Sequence, residues 1–226
     1  MNYKFLFTSS LIAFGQMASA GGITVPVIEA PVIAPTAPVA DWSGSYVGAD
    51  LGFGSGTYGN DTAGFPGDGE DDLSGGIFGI SLGHNFQSGS WVYGAELQYF
   101  GSTIEGTDDC GNPSYECALE VNALYSLRGQ AGYVLNSGML IKGNVGIAGA
   151  DTFGFVDNGS GEQGSDVTLS GVTFGVAIEK SINEHLSWEA GVQHYAFDAE
   201  DYLTDSVYPD VETNITTAEM GLNYRF

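Results

Sequence analysis

Three histidines, His84, His185 and His194, are the side chains of this chain whose ordinary titration lies near neutrality. A histidine within hydrogen-bond reach of a serine, and oriented by an acid, would make a nucleophile for acyl transfer. His194, expected toward the outer end of its strand, is the candidate at the right depth, with Ser206 nearby in a loop. Cys110 and Cys117 form a C-x6-C pair. A zinc site would need two more ligands nearby, and no histidine or further cysteine is close. An even cysteine count in an exported chain reads instead as one disulfide. No metal-ligand cluster and no phosphate-binding glycine motif stands out, so no metal and no cofactor is expected.

Charge is the other chemistry on offer. The 226 residues carry 28 acidic side chains against five Lys and Arg, a formal net charge of -23. Nucleic acid is excluded as a partner, because phosphate neutralisation needs clustered basic residues. Nineteen of the 28 carboxylates fall in four stretches, 55–75, 102–117, 151–166 and 198–212. Asp68, Glu70, Asp71 and Asp72 crowd the first; Glu105, Asp108, Asp109 and Glu116 flank the cysteines; Asp198, Glu200, Asp201, Asp205 and Asp210 crowd the last. They read as a solvated, self-repelling surface or as a binding surface. Oxygen ligands suit calcium, but no stretch has the spacing of a twelve-residue calcium loop.

Between these stretches the hydropathy alternates with period two, the signature of strands. Eight segments are expected at 44–54, 76–87, 90–101, 118–134, 138–151, 167–180, 185–198 and 213–226. In the third, Trp91, Tyr93, Ala95, Leu97 and Tyr99 share one face, and Val92, Gly94, Glu96, Gln98 and Phe100 the other. In the fourth, Leu119, Val121, Ala123, Tyr125 and Leu127 oppose Glu120, Asn122, Ser126, Arg128 and Gln130, with Leu124 an exception. The last sets Met220, Leu222, Tyr224 and Phe226 against Glu219, Gly221, Asn223 and Arg225.

The N-terminus adds a destination. Lys4, the apolar stretch Phe5–Phe14 and the sequence Ala18-Ser19-Ala20 have the form of a cleavable signal peptide over residues 1–20. Residues 21–40 hold four of the seven prolines, Pro26, Pro31, Pro35 and Pro38, and read as an extended periplasmic linker. Residues 41–226 are then the folded domain.

Alternation alone does not say which face is inside. Three features favour a membrane barrel over a soluble one. Connections alternate short (87–89, 136–138, 181–185) and long (the four acidic stretches), as periplasmic turns and outer loops do. Aromatics cluster at strand ends on the apolar face: Phe86, Trp91, Tyr133, Trp188, Tyr224 and Phe226 at one end, Phe53, Tyr99 and Phe153 at the other. The polar face is mainly small, which suits the narrow interior of eight strands. The expectation is an all-β, eight-stranded antiparallel transmembrane up-and-down β-barrel in the bacterial outer membrane.

Three segments then carry a resemblance. Asp41-Trp42-Ser43-Gly44-Ser45-Tyr46-Val47-Gly48 resembles the opening strand of the opacity-type, porin-like outer-membrane β-barrel family. Ser126-Leu127-Arg128-Gly129-Gln130-Ala131-Gly132-Tyr133 resembles that family's central strand, with Gln130 where the family often carries a second arginine. Gly221-Leu222-Asn223-Tyr224-Arg225-Phe226 is similar to its C-terminal strand. Phe226, with Tyr224 and Leu222 alternating before it, looks like the signal read by the outer-membrane assembly machinery. The resemblance implies an integral outer-membrane protein and no single activity.

On this register Glu96 and Arg128 point inward at a similar height, and Lys142 and Glu179 do the same lower down. Asp50, Glu120, Glu189, Glu219 and Arg225 also face in. Such lumen pairs either fill the barrel and exclude water, or line a narrow cation-preferring pore. Three readings follow: a plugged anchor that presents a surface, a small porin, and a lipid-modifying enzyme centred on His194. The partners expected are outer-membrane lipid and lipopolysaccharide, the assembly machinery, and an extracellular partner of the acidic loops.

Overall fold

The computed structural model describes residues 40–59, 65, 69–110 and 114–226. The expected signal peptide and all but the last residue of the expected linker lie outside the described residues. Nine strands follow in order: β1 (Gly44–Gly59), β2 (Glu70–Ser88), β3 (Trp91–Asp108), β4 (Glu116–Val134), β5 (Leu140–Asp157), β6 (Glu162–Ser181), β7 (Leu186–Phe197), β8 (Glu200–Leu203) and β9 (Val207–Arg225). Each long strand pairs antiparallel with its neighbours, and β1 pairs with both β2 and β9. Eight strands, β1 to β7 and β9, therefore close a ring, and β8 adds a short hairpin to β9 beyond the end of β7.

The turn end is tight. Gly89 and Gly138 sit at positive φ, a conformation these turns need and side chains resist. The C-terminus returns here too: the Phe226 amide donates to the Ser45 carbonyl at 3.0 Å. Outside, an exposed apolar belt rings the barrel, and its aromatics fall in two tiers. Phe86, Trp91, Tyr93, Tyr133, Tyr224 and Phe226 mark the turn end; Phe53, Phe78 and Tyr99 mark the other. Phe78 to Phe86 on β2 and Trp91 to Tyr99 on β3 each span nine residues counting both ends, within the ~9–11 a tilted strand needs to cross hydrocarbon. The turn end is thus the periplasmic end.

The strands run well beyond that belt. Against the expected bounds, the additions lie almost entirely at the outer end. The long loops expected at 55–75, 102–117, 151–166 and 198–212 are mostly hydrogen-bonded strand. Sequence missed this because charged and glycine-rich segments have low strand propensity. Cross-strand pairing overrides it here.

A bulge interrupts the alternation of β4. The register shifts between Val121 and Ala123 on the β5 side, leaving Asn122 unpaired. Beyond it the facing reverses. Leu119 and Val121, expected outside, are buried in the interior with Leu124. Glu120, expected inside, is only half-buried and lies beside Glu105 of β3.

Inside, the barrel is layered. The periplasmic floor is a small apolar cluster of Trp42, Val92, Val134 and Leu140. A polar, ionic layer lies above it. The outer part is a large apolar core that includes Ile77, Phe100, Ile104, Leu119, Leu124 and Ile215. Over the top lie four rings: Phe65 stacks on Tyr202 at 5.9 Å and approaches Tyr58 at 5.9 Å and Tyr208 at 5.3 Å. Tyr202 crosses Gly154 at a point where any Cβ would overlap its ring. Its hydroxyl shares a 2.7 Å hydrogen bond with Thr152 Oγ1.

The bulge makes a testable distinction. Val121→Asp, which places a charge in the apolar core, should destabilise the barrel by about 3 kcal/mol or more, while Glu120→Gln stays within ~0.5 kcal/mol. Urea midpoints of the refolded variants measure both, and the reverse order would restore the unbulged register.

Candidate functional site

Two regions hold the candidate chemistry: the ionic layer of the lumen and the acidic outer rim. The ionic layer is built from the alternate residues of all eight barrel strands. Glu96 (β3) and Arg128 (β4) are directly opposed and ion-paired, both buried. The Tyr46 hydroxyl donates to the other Glu96 oxygen at 2.5 Å. Gln130 Nε2 donates to Tyr46 Oη at 2.9 Å and to Asn85 Oδ1 at 2.8 Å. Gly83 makes room for this, because a Cβ there would overlap the Tyr46 ring. Gln130 thus extends the Glu96–Arg128 network with a neutral donor.

Lower down, Lys142 (β5) reaches Glu179 (β6) at 3.3 Å and Glu189 (β7) at 2.7 Å. Glu179 also accepts from Ser187 at 2.6 Å, Asn223 at 3.2 Å and Arg225 at 3.4 Å. These donors satisfy the hydrogen-bonding capacity of a carboxylate that water does not reach. The sequence pairs Lys142 with Glu179 alone; the structure adds Glu189 and Arg225. Their inward facing signals them, but which of several carboxylates one lysine chooses depends on strand stagger.

Arg225 ties this network to the floor. Its Nη1 donates to the Trp42 carbonyl at 2.6 Å, and its guanidinium lies 5.4 Å from the Trp42 ring and 5.2 Å from the Tyr46 ring. Gln87 holds the same segment, accepting from the Trp42 amide at 2.6 Å and donating to the Ala40 carbonyl at 3.0 Å. Beside it the Ser43 hydroxyl and amide hold the Asp41 carboxyl below its usual range. The chain thus enters the barrel through its own seal.

The outer rim has a different character. Beyond Lys4 the basic residues are Arg128, Lys142, Lys180 and Arg225. Three are in the lumen and Lys180 is exposed next to the β6–β7 turn, so none lies on the outer rim. Strand pairing sets carboxylates abreast: Glu116, Asp157 and Glu162 are opposed across β4, β5 and β6, and Glu105 opposes Glu120. Like charges opposed in this way destabilise a sheet. Cys110 and Cys117 are disulfide-bonded, and Cys117 is buried in the outer core. The bond pins the β3–β4 connection against this repulsion.

The histidines do not assemble with Ser206. His194 shares a 2.9 Å hydrogen bond with Thr216 Oγ1 and packs against Phe174 on the outer wall. Ser206 lies in the β8–β9 turn, where its carbonyl accepts from the Thr204 amide. His84 meets Ser45 at 2.9 Å and His185 meets the Arg225 carbonyl at 3.1 Å, both near the periplasmic end. Among the described residues Phe226 is the most exposed of the large apolar side chains, at 75%, and Leu222 and Tyr224 share its outward face.

The closed ring, belt and turn end agree with a sequence match over residues 27–226 to the outer membrane protein beta-barrel domain family. The chain belongs to that family. It is an outer-membrane protein. No curated protein matches it significantly. Among solved structures it is similar to Ail, the attachment invasion locus protein of Yersinia pestis, at 13% identity and TM-score 0.46, covering 81% of this chain and 99% of that one. It is also similar to OprG from Pseudomonas aeruginosa, at 13% identity and TM-score 0.47, covering 83% and 98%. Family membership fixes fold and membrane; these distant likenesses carry nothing about activity.

The network allows a direct test. Glu96→Ala and Arg128→Ala should each cost about 3–5 kcal/mol, because each leaves a buried charge alone. The double variant should cost clearly less than their sum. Additive losses in urea unfolding would mean that the pair does not act as a unit.

Proposed function

We propose that this protein is a closed outer-membrane anchor that presents an acidic, rigid outer rim to the surroundings of the cell. One observation carries this reading: the ionic layer lies between an apolar floor around Trp42 and an apolar outer core that fills the lumen from Phe100 to Tyr202. A hydrated ion would have to cross both apolar layers. The porin reading needs a continuous wet path, and the cavity within the ionic layer is about 20 Å³, room for about one water. The enzyme reading needs a serine nucleophile at His194, whose ring hydrogen bond goes to a threonine.

The partner chemistry follows from charge. An outer rim free of lysine and arginine can meet lipopolysaccharide phosphates only through bridging divalent cations, and it favours extracellular partners with basic surfaces. The exposed Phe226, with Tyr224 and Leu222 on one face, is the segment we assign to recognition by the assembly machinery.

The deciding experiment is conductance of the refolded chain in a planar bilayer. The expected result is a folded, heat-modifiable barrel with no steady current steps. Stable, ohmic, cation-selective steps would overturn the closed anchor in favour of the porin. Separately, Phe226→Ala should lower the yield of assembled barrel in cells more than any single substitution in the acidic rim, as read from heat-modifiable mobility of membrane fractions.

A further inference from the structure

The charges of the ionic layer do not balance. Asp50, Glu96, Glu179, Glu189 and Glu219 face inward against Arg128, Lys142 and Arg225. The ion pairs engage Glu96, Glu179 and Glu189, and neither Asp50 nor Glu219 takes part in one among the described residues. Glu219 is held by neutral donors alone, Thr217 at 2.6 Å, Gln98 at 3.1 Å and Tyr195 at 3.4 Å. Uncompensated carboxylates inside a low-dielectric barrel are costly, so the layer calls for positive charge from solution.

The same place has an opening for it. Asp50 and Glu219 border the cavity of about 20 Å³, together with Gln98, Gln193, Glu96, Glu189 and Arg128. That volume admits one water-sized particle. Two acceptors on its wall lack any hydrogen-bond partner, Asp50 Oδ2 and Gln98 Oε1. Gln98 is only 3% exposed, and the bond from its Nε2 to Glu219 fixes which end of the amide is left free. Arg128 also borders the cavity and leaves its Nε unpaired, but its charge is directed to Glu96.

We propose that this cavity binds one dehydrated monovalent cation of potassium size, with Asp50 Oδ2, Gln98 Oε1 and a Glu219 oxygen as ligands. A divalent ion fits less well. Magnesium keeps several waters, for which the cavity has no room. No three of the described His, Cys, Asp and Glu side chains converge tightly enough to hold a metal by themselves. The set offered is mixed, charged and amide oxygen, and one monovalent ion halves the layer's excess of two negative charges.

The test uses rubidium as the probe. The full chain is refolded at one pH and ionic strength in rubidium chloride or in N-methylglucamine chloride, then desalted into the organic salt. Retained rubidium is measured by elemental analysis, and stability by urea midpoint before desalting. The expected result is about one rubidium per barrel and a higher midpoint in rubidium. At an ion concentration of ~100 times Kd, the unfolding equilibrium should shift about 100-fold. D50N/E219Q should retain none and unfold identically in both salts; if it does not refold, E219Q alone serves. A wild-type barrel that retains no rubidium and unfolds identically in both salts overturns the site, and protons then balance the charge. Retention rests on the closed lumen proposed above, but the salt-specific midpoint does not. A rubidium-specific midpoint with rubidium lost on desalting therefore keeps the site and removes the closure.

Discussion

The constraint on which everything else rests is that backbone amides and carbonyls cannot be left unpaired in hydrocarbon. A sheet satisfies it only by closing, and closure here is the pairing of β1 with β9 from Tyr46–Arg225 up to Gly59–Glu212. That seam brings the last strand beside the first, so the C-terminal Arg225 reaches Trp42 and the floor seals itself. Closure also fixes eight strands around one axis, and eight strands leave an interior that side chains can fill.

How it is filled changes with height. Within the belt the inward residues are polar and ionic, and all but a few of their polar atoms satisfy one another across the lumen. Above the belt the interior turns apolar and the exterior turns acidic. The outer half is therefore built like a small soluble β-barrel, with its core inside and its charges outside, standing on a membrane barrel whose wall has the opposite pattern. One set of strands carries both, because alternation is indifferent to which face meets oil.

Much of this was legible in the residues. Period two, short and long connections and aromatic tiers are enough to define eight strands, their order and the periplasmic end. Inward facing placed Glu96 opposite Arg128, and Lys142 near Glu179, since antiparallel register follows from counting back from the turns. What was not legible depends on three dimensions. Asn122 carries no mark that distinguishes a bulged residue from a paired one, so Glu120 was assigned to the wrong side. The extended outer strands were hidden because glycine and carboxylates form strands poorly on their own, and only their neighbours hold them. Glu189 and Arg225 faced inward, but which charge each one meets is decided by stagger across four strands. The aromatic lid of Phe65, Tyr202 and Tyr208 joins residues from distant connections, and no local pattern announces it.

The outer strands have a consequence for how the molecule is read from outside. Because the rim is hydrogen-bonded sheet, its surface neighbours are not its sequence neighbours: Glu116, Asp157 and Glu162 stand side by side across three strands. An antibody or receptor that grips the rim grips a discontinuous epitope, assembled only by the folded barrel. Linear peptides copied from any one stretch would present a different shape. Substitutions on such a surface can then alter it one residue at a time on separate strands, with the backbone frame unchanged beneath it.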